Sequence, residues 1–190
     1  MKILCLLIGL NLLYLSAYSQ KTEACVIKTS LGNIRIELYA DKAPVTVANF
    51  LKYADHQLYD GTNFYRVCTP ENEKERSIKI QVIQGGDVPE GKQFEPIVLE
   101  TTRQSGISHH DGTLSMARDA PNSATSSFFI CINDQPELNF AGKRNPDGQG
   151  FAAFGQVTEG MEVVKKIQAL KEKGQYLIEP VLIYSIRRID

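Results

Sequence analysis

Apolar and polar residues alternate along Cys25-Val26-Ile27-Lys28-Thr29, and strictly along Ile34-Arg35-Ile36-Glu37-Leu38, which is the two-residue period of a half-buried strand. Ser30-Leu31-Gly32-Asn33 between them has turn chemistry, so the pair predicts a β-hairpin. Pro44 opens a different period: Val47, Phe50, Leu51 and Ala54 fall at i, i+3, i+4 and i+7 and place one apolar stripe on a helix. Phe64-Tyr65-Arg66-Val67 reads as a strand after Asp60-Gly61. Ile80-Gln81-Val82-Ile83-Gln84 reads as another, ended by Gly85-Gly86-Asp87, and a polar insertion from Thr69 to Lys79 separates the two. Thr113 to Ala117, Phe128 to Ile132 and Phe154 to Val157 add short apolar segments between loops rich in Asn, Asp, Pro and Gly. A second helix is predicted from about Gly160 to Leu170, with Val163, Val164, Ile167 and Leu170 on one side, and alternation returns from Val181 to Arg187. Many short strands with hairpin turns and only two amphipathic helices predict a mainly β fold, a closed antiparallel barrel whose open ends the helices plug. No internal repeat, low-complexity tract or long linker divides the chain, so one domain is expected over residues 20–190.

The first stretch follows a different logic. Lys2 precedes an apolar run from Ile3 to Leu15, and the small and polar residues Ser16-Ala17-Tyr18-Ser19-Gln20 follow it, the three-part pattern of a secretory signal. The run is interrupted by Gly9 and Asn11 and is shorter than the roughly 20 apolar residues that span a bilayer. Residues 1–19 are therefore read as a signal peptide cleaved before Gln20, which makes the product an exported, periplasmic or secreted protein with no membrane attachment. Lys and Arg total 21 against 22 Asp and Glu, and loss of Lys2 leaves 20 minus 22, a charge of −2 that gives no electrostatic case for nucleic acid. Cys5 leaves with the signal; Cys25, Cys68 and Cys131 remain and can form at most one internal bridge. Cys25 and Cys131 lie in apolar strand-like runs and are read as buried thiols, while Cys68 is not placed.

Thr29-Ser30-Leu31-Gly32-Asn33-Ile34, Ala43-Pro44 with Asn49-Phe50, Tyr59-Asp60-Gly61-Thr62 with Phe64 and Arg66, and Gln84-Gly85-Gly86-Asp87 come in a set order. Gly112-Thr113-Leu114-Ser115-Met116-Ala117, Ser127-Phe128-Phe129-Ile130 and Phe154-Gly155 continue it. Together these segments resemble the cyclophilin-type peptidyl-prolyl cis-trans isomerases over nearly the whole chain after the signal. The resemblance implies an eight-stranded barrel with a helix at each end and an active site on its outer face. It also implies peptidyl-prolyl cis-trans isomerase activity on proline-containing polypeptides.

That chemistry has definite needs. Rotation about a peptide bond meets a barrier of about 18–20 kcal/mol because the nitrogen lone pair is delocalised into the carbonyl. A donor aimed at the proline nitrogen draws the lone pair out of resonance, and an apolar pocket holds the ring and removes water, so no nucleophile, metal or cofactor is called for. Arg66, on a strand among family motifs, is the candidate cation, since a guanidinium stays charged in apolar surroundings. The resemblance places Val82, Phe129 and Leu138 around the proline ring and Gln84 on the substrate backbone. Gln84 shares a strand face with Val82, where a polar side chain suits a binding wall better than a barrel interior. Arg66, Gln84 and Phe129 are thus the expected catalytic set. Phe64, Val82, Ala117, Arg118, Ser127, Leu138 and Phe151 are the expected substrate contacts.

The family pattern is not fully kept. A pocket phenylalanine is here Gln81, the neighbouring methionine is Val82, the rim tryptophan is Glu137, and a histidine at the mouth is Phe151. Turnover is expected to survive, with weak affinity for cyclosporin-type ligands, because a rim tryptophan supplies both area and an N–H donor. The changes at Gln81 and Glu137 also raise an alternative, a catalytically weak proline-binding or chaperone module on the same fold. The insertion at Glu71-Asn72-Glu73-Lys74-Glu75-Arg76 is read as a solvated loop, with partner docking or a selectivity gate as the sharper reading. His109-His110-Asp111 carries ligand-type residues, but adjacent histidines on one loop seldom converge on one ion, so no metal is expected. Gly148-Gln149-Gly150 lacks the strand and helix that a phosphate loop requires. A monomer is expected.

Overall fold

Strands β1 (Thr22–Thr29) and β2 (Gly32–Tyr39) form the predicted hairpin, pairing Cys25 with Ile36 and Ile27 with Ile34. Their alternation decides the faces: Cys25, Ile27, Ile34, Ile36 and Leu38 are buried inside the barrel, and Arg35 points to solvent. The computed structural model describes residues 22–189. The segment read as a signal peptide, residues 1–19, lies outside the described residues.

Helix α1 (Pro44–Asp55) begins at the proline, as predicted, and buries Val47, Phe50, Leu51 and Ala54. Its first turn has no local side-chain cap. The Glu100 carboxylate supplies one from a distant loop, accepting from the amides of Val45 and Thr46 at 3.1 and 2.8 Å. The Phe50 ring then packs 5.2 to 5.3 Å from Tyr59, Phe128 and Phe154, which fills one end of the barrel.

The remaining elements are β3 (Asn63–Cys68), β4 (Val82–Gly85), α2 (Thr102–Ser105), β5 (Thr113–Met116), β6 (Phe128–Cys131), β7 (Ala152–Glu159), α3 (Met161–Gln168), β8 (Glu172–Lys173) and β9 (Tyr176–Ile189). Neighbours run β1-β2-β7-β5-β6-β4-β3-β9, and β9 pairs again with β1, so eight antiparallel strands close a ring. β8 lies outside that ring as a short partner of β9. Helix α3 covers the second end through Val163, Val164 and Ile167. Gly86, at φ +78°, turns the chain out of β4 where an added Cβ would lie 2.6 Å from the Phe128 ring, so the Gln84-Gly85-Gly86-Asp87 motif has a steric basis.

Two local expectations shift, and one short helix is new. β4 starts at Val82 rather than Ile80, because the chain entering it is held by the insertion: the Ile80 amide donates to Glu73 Oε2 at 2.8 Å. β9 starts at Tyr176, five positions before Val181, and pairs with the unpredicted β8. α2 has a Thr101–Gln104 capping box but only four residues, too few to show a period.

Buried apolar side chains form two clusters. One fills the barrel. The other, made of Cys68, Ile80, Val82, Phe129, Cys131 and Leu138 with Ala117 and Phe151 packed against it, lies on the outside of β3, β4 and β6. Cys25, Cys68 and Cys131 are all free and buried, so Cys68 joins the outer cluster as a thiol. Burial pushes the Cys68 thiol up to about 11.

Candidate active site

The outer cluster follows from the two-residue period of β4 and β6. Ile83 and Gly85 face the interior while Val82 and Gln84 face out; Phe128 and Ile130 face in while Phe129 and Cys131 face out. β3 breaks the period with a bulge: Phe64 opposes Gly85 and Arg66 opposes Gln84, two residues on one strand against one on the other. The extra residue lets Tyr65 and Arg66 both reach the outer face. They border a groove of about 700 Å³ floored by Val82, Phe129 and Leu138 and walled by Gln84, Ala117, Ser127 and Phe151.

Phe64 does not belong there. It is fully buried inside the barrel, 5.8 Å from the Phe128 ring, and this corrects its reading as a substrate contact: the bulge turns its neighbours outward and leaves Phe64 in the core. The other nine expected residues line the groove.

Arg66 is held from both edges. Its Nη1 donates to Gln84 Oε1 at 2.7 Å, and its Nε and Nη2 donate to Gln175 Oε1 at 3.0 and 2.6 Å. Gln84 Nε2 in turn donates to the Tyr65 hydroxyl at 2.7 Å. Three of the five guanidinium N–H groups are thereby used, leaving two without a partner among the described residues. No carboxylate of the described residues forms an ion pair with Arg66, so its charge beside the apolar floor is not offset at contact distance.

A cationic fork without a counter-ion beside an apolar notch, on the outside of a closed barrel, is the arrangement that amide rotation needs. The model of the cyclophilin type peptidyl-prolyl cis-trans isomerase/CLD family matches residues 24–188. The chain belongs to the cyclophilin-type isomerase family. Similar proteins include a peptidyl-prolyl cis-trans isomerase of Acinetobacter baylyi, 40% identical over 160 residues that cover 82% of this chain and 77% of the relative. Peptidyl-prolyl cis-trans isomerase B of Escherichia coli is 40% identical over 147 residues, covering 75% and 82%. The crystal structure of a Cryptosporidium parvum cyclophilin type isomerase superposes with a TM-score of 0.73 at 24% identity, covering 90% of this chain and 99% of that one. It shows the shared fold.

In this cyclophilin the rim is built by ion pairs. Arg118 lines the groove, but its guanidinium is turned into the protein, donating to Gly150 O at 2.6 Å and to both Asp147 carboxylate oxygens at 2.8 and 2.9 Å. Its bond to Arg118 holds the Asp147 carboxyl below its ordinary range. Arg144, on the same loop, pairs with Glu73 of the insertion. That pair corrects the insertion's reading as a solvated loop. Glu71, Lys74, Glu75 and Arg76 are exposed, but Glu73 is 1% exposed and reaches under the groove. Burial alone would raise the Glu73 carboxyl, and its bonds to Arg144, the Ile80 amide and Gln175 instead hold it below the usual range.

His109 was not legible as a site residue. Its ring stacks behind Phe129 at 6.0 Å and 14°, and it is 1% exposed. Asn139 Oδ1 accepts from the His109 amide at 3.0 Å and faces Nδ1 at 2.8 Å, so Nδ1 carries the proton and Nε2 accepts from the Ser115 hydroxyl at 2.9 Å. Burial lowers its pKa to about 4, which keeps the ring neutral at pH 7. His110 diverges to the surface beside Asp134. Tyr65, Glu73, Arg144 and Gln175 were also missed. Nothing in their local sequence marks them, since each acts on a residue distant in the chain.

Proposed function

We propose that the groove is the peptidyl-prolyl cis-trans isomerase site, with the proline ring on Val82, Phe129 and Leu138 and Arg66 above it. One of the two spare Arg66 N–H groups points at the proline nitrogen and draws its lone pair out of amide resonance as the bond twists. The other is available to the substrate carbonyl. The remaining N–H and lone pair of the Gln84 amide hold the substrate backbone, and Ala117 offers its main chain along the wall, with Ser127 and Phe151 at the rim.

The unpaired Arg66 charge carries this reading. A thousandfold acceleration requires about 4 kcal/mol. One hydrogen bond from a charged donor contributes about 1.5–3 kcal/mol. The remainder comes from a dry, preformed site in which the donors need no reorganisation. The chemistry itself calls for no cofactor, and a groove built from one chain fits a monomer.

The pattern of residues 1–19 supports export, and the proposed clients are exported chains whose X-Pro bonds turn over in tens to hundreds of seconds unaided. A coupled proline-isomerisation assay tests the reading. The protein should outpace the spontaneous reaction, and Arg66→Ala should lose about 10- to 100-fold in kcat/KM. A rate equal to the spontaneous one in the unsubstituted protein would leave only the proline-binding module.

A further inference from the structure

The bonds around Arg66 continue beyond the groove. Gln175 stands in the turn between β8 and β9 at φ +76°, a left-handed conformation that needs local support in a non-glycine residue. Three bonds supply it: the Gln175 amide donates to Glu172 Oε2 at 2.6 Å, its carbonyl accepts from the Val67 amide at 2.8 Å, and its Nε2 donates to Glu73 Oε1 at 3.1 Å. Arg66 has only donors, so Gln175 must present its oxygen to the guanidinium and its nitrogen to Glu73.

We propose that Gln175 is a positioning residue for Arg66, held in place by the buried Glu73–Arg144 pair and chosen by its chemistry to fix the cation without neutralising it. The inference rests on Arg66 being the cation of the isomerase site. A guanidinium on a long arm has many rotamers, and few of them bring its spare N–H groups over the proline. One amide oxygen gripping Nε–H and Nη2–H, with Gln84 on Nη1, leaves a single orientation. A carboxylate in that place would grip as well, but it would pair with the charge that has to act on the substrate. Two carboxylates stand near Gln175 and neither pairs with Arg66: Glu172 accepts from the Gln175 main chain, and Glu73 accepts from the Gln175 side chain with Arg144 matching its charge.

Two substitutions separate position from charge. Gln175→Ala should lower kcat/KM about tenfold while proline-peptide affinity by titration changes less than about twofold. In nitrogen-labelled protein the Arg66 Nε–H signal, slow to exchange in the parent, should become fast, with the other amide signals dispersed as before. Gln175→Glu keeps the size and the grip on Arg66 but gives up the donor to Glu73. The introduced carboxyl therefore faces Glu73, with Glu172 and the Cys68 thiol also beside position 175 and Arg66 favouring its charged form. Its kcat/KM should rise as pH is lowered through the titration of that carboxyl, a profile that parent and Gln175→Ala lack. Unchanged kcat/KM in Gln175→Ala, or a Gln175→Glu profile parallel to the parent's, overturns the inference and leaves the isomerase reading intact. A parent no faster than the spontaneous reaction overturns both.

Discussion

Single residues here are divided by which side of a strand they face. Phe64 and Phe129 are both aromatic strand residues, yet one is core and the other is groove floor. Phe64→Ala should therefore cost about 3–5 kcal/mol of stability, measured by urea denaturation. Phe129→Ala should show its larger effect in the isomerisation assay. His109 makes a pH prediction with a definite sign. Its folded pKa of about 4 lies below the ordinary 6.5, so between those values the unfolded chain binds a proton that the folded one refuses. Stability should fall as pH drops from 6.5 to 4, by about 3 kcal/mol from this residue. His109→Gln should lose that part of the slope, read from denaturation curves at pH 7 and pH 4.5; an unchanged slope would mean that the ring is charged in the folded protein.

Among the elements, the loop between Leu138 and Phe151 matters most, because it has no regular ladder and is clamped by one arginine from outside it and by one of its own that reaches the insertion. Arg118 holds Asp147 and Gly150, and Arg144 holds Glu73. The Arg118 side chain is 1% exposed, so removing it leaves the Gly150 carbonyl without that donor and the Asp147 carboxylate without its pair. Arg118→Ala should cost about 1.5–3 kcal/mol and raise hydrogen exchange in residues 139–150 before any other segment. β1, β2, the second half of β9 and both long helices were legible from period, since each buries one face of a short window. β5, β6 and β7, buried on both faces over most of their length, were legible only as short apolar segments between turn residues. α2 and β8 were not, being too short to display a period. The insertion's composition concealed Glu73, because a charged run gives no sign of which member has a buried partner.

At the scale of the whole molecule, the closed ring seals Cys25 in the barrel core, while Cys68 and Cys131 are buried in the packed outer cluster beneath the groove. Cys25, Cys68 and Cys131 should resist a thiol reagent under native conditions and react together on unfolding. The rim, by contrast, presents Glu137 where the resemblance expects tryptophan, and its carboxylate accepts from the Lys143 amide at 2.8 Å. Binding of a cyclosporin-type ligand should be weak, and Glu137→Trp should tighten it by about tenfold in a calorimetric titration.

The sequence by itself determined what depends on a few neighbouring positions: alternation in the strands, stripes on two helices, turn residues between them, and motifs that mark Arg66, Gln84 and Phe129 as one family's groove. Only the tertiary structure decided which aromatic side chains face inward at the β3 bulge. It alone shows that Glu73 is buried and that Gln175, 109 residues along the chain, grips Arg66. The reason is physical. Periodicity reports a face averaged over a window, whereas a bulge shifts the register by one residue and a hydrogen bond across the fold leaves no trace in the residues beside either partner.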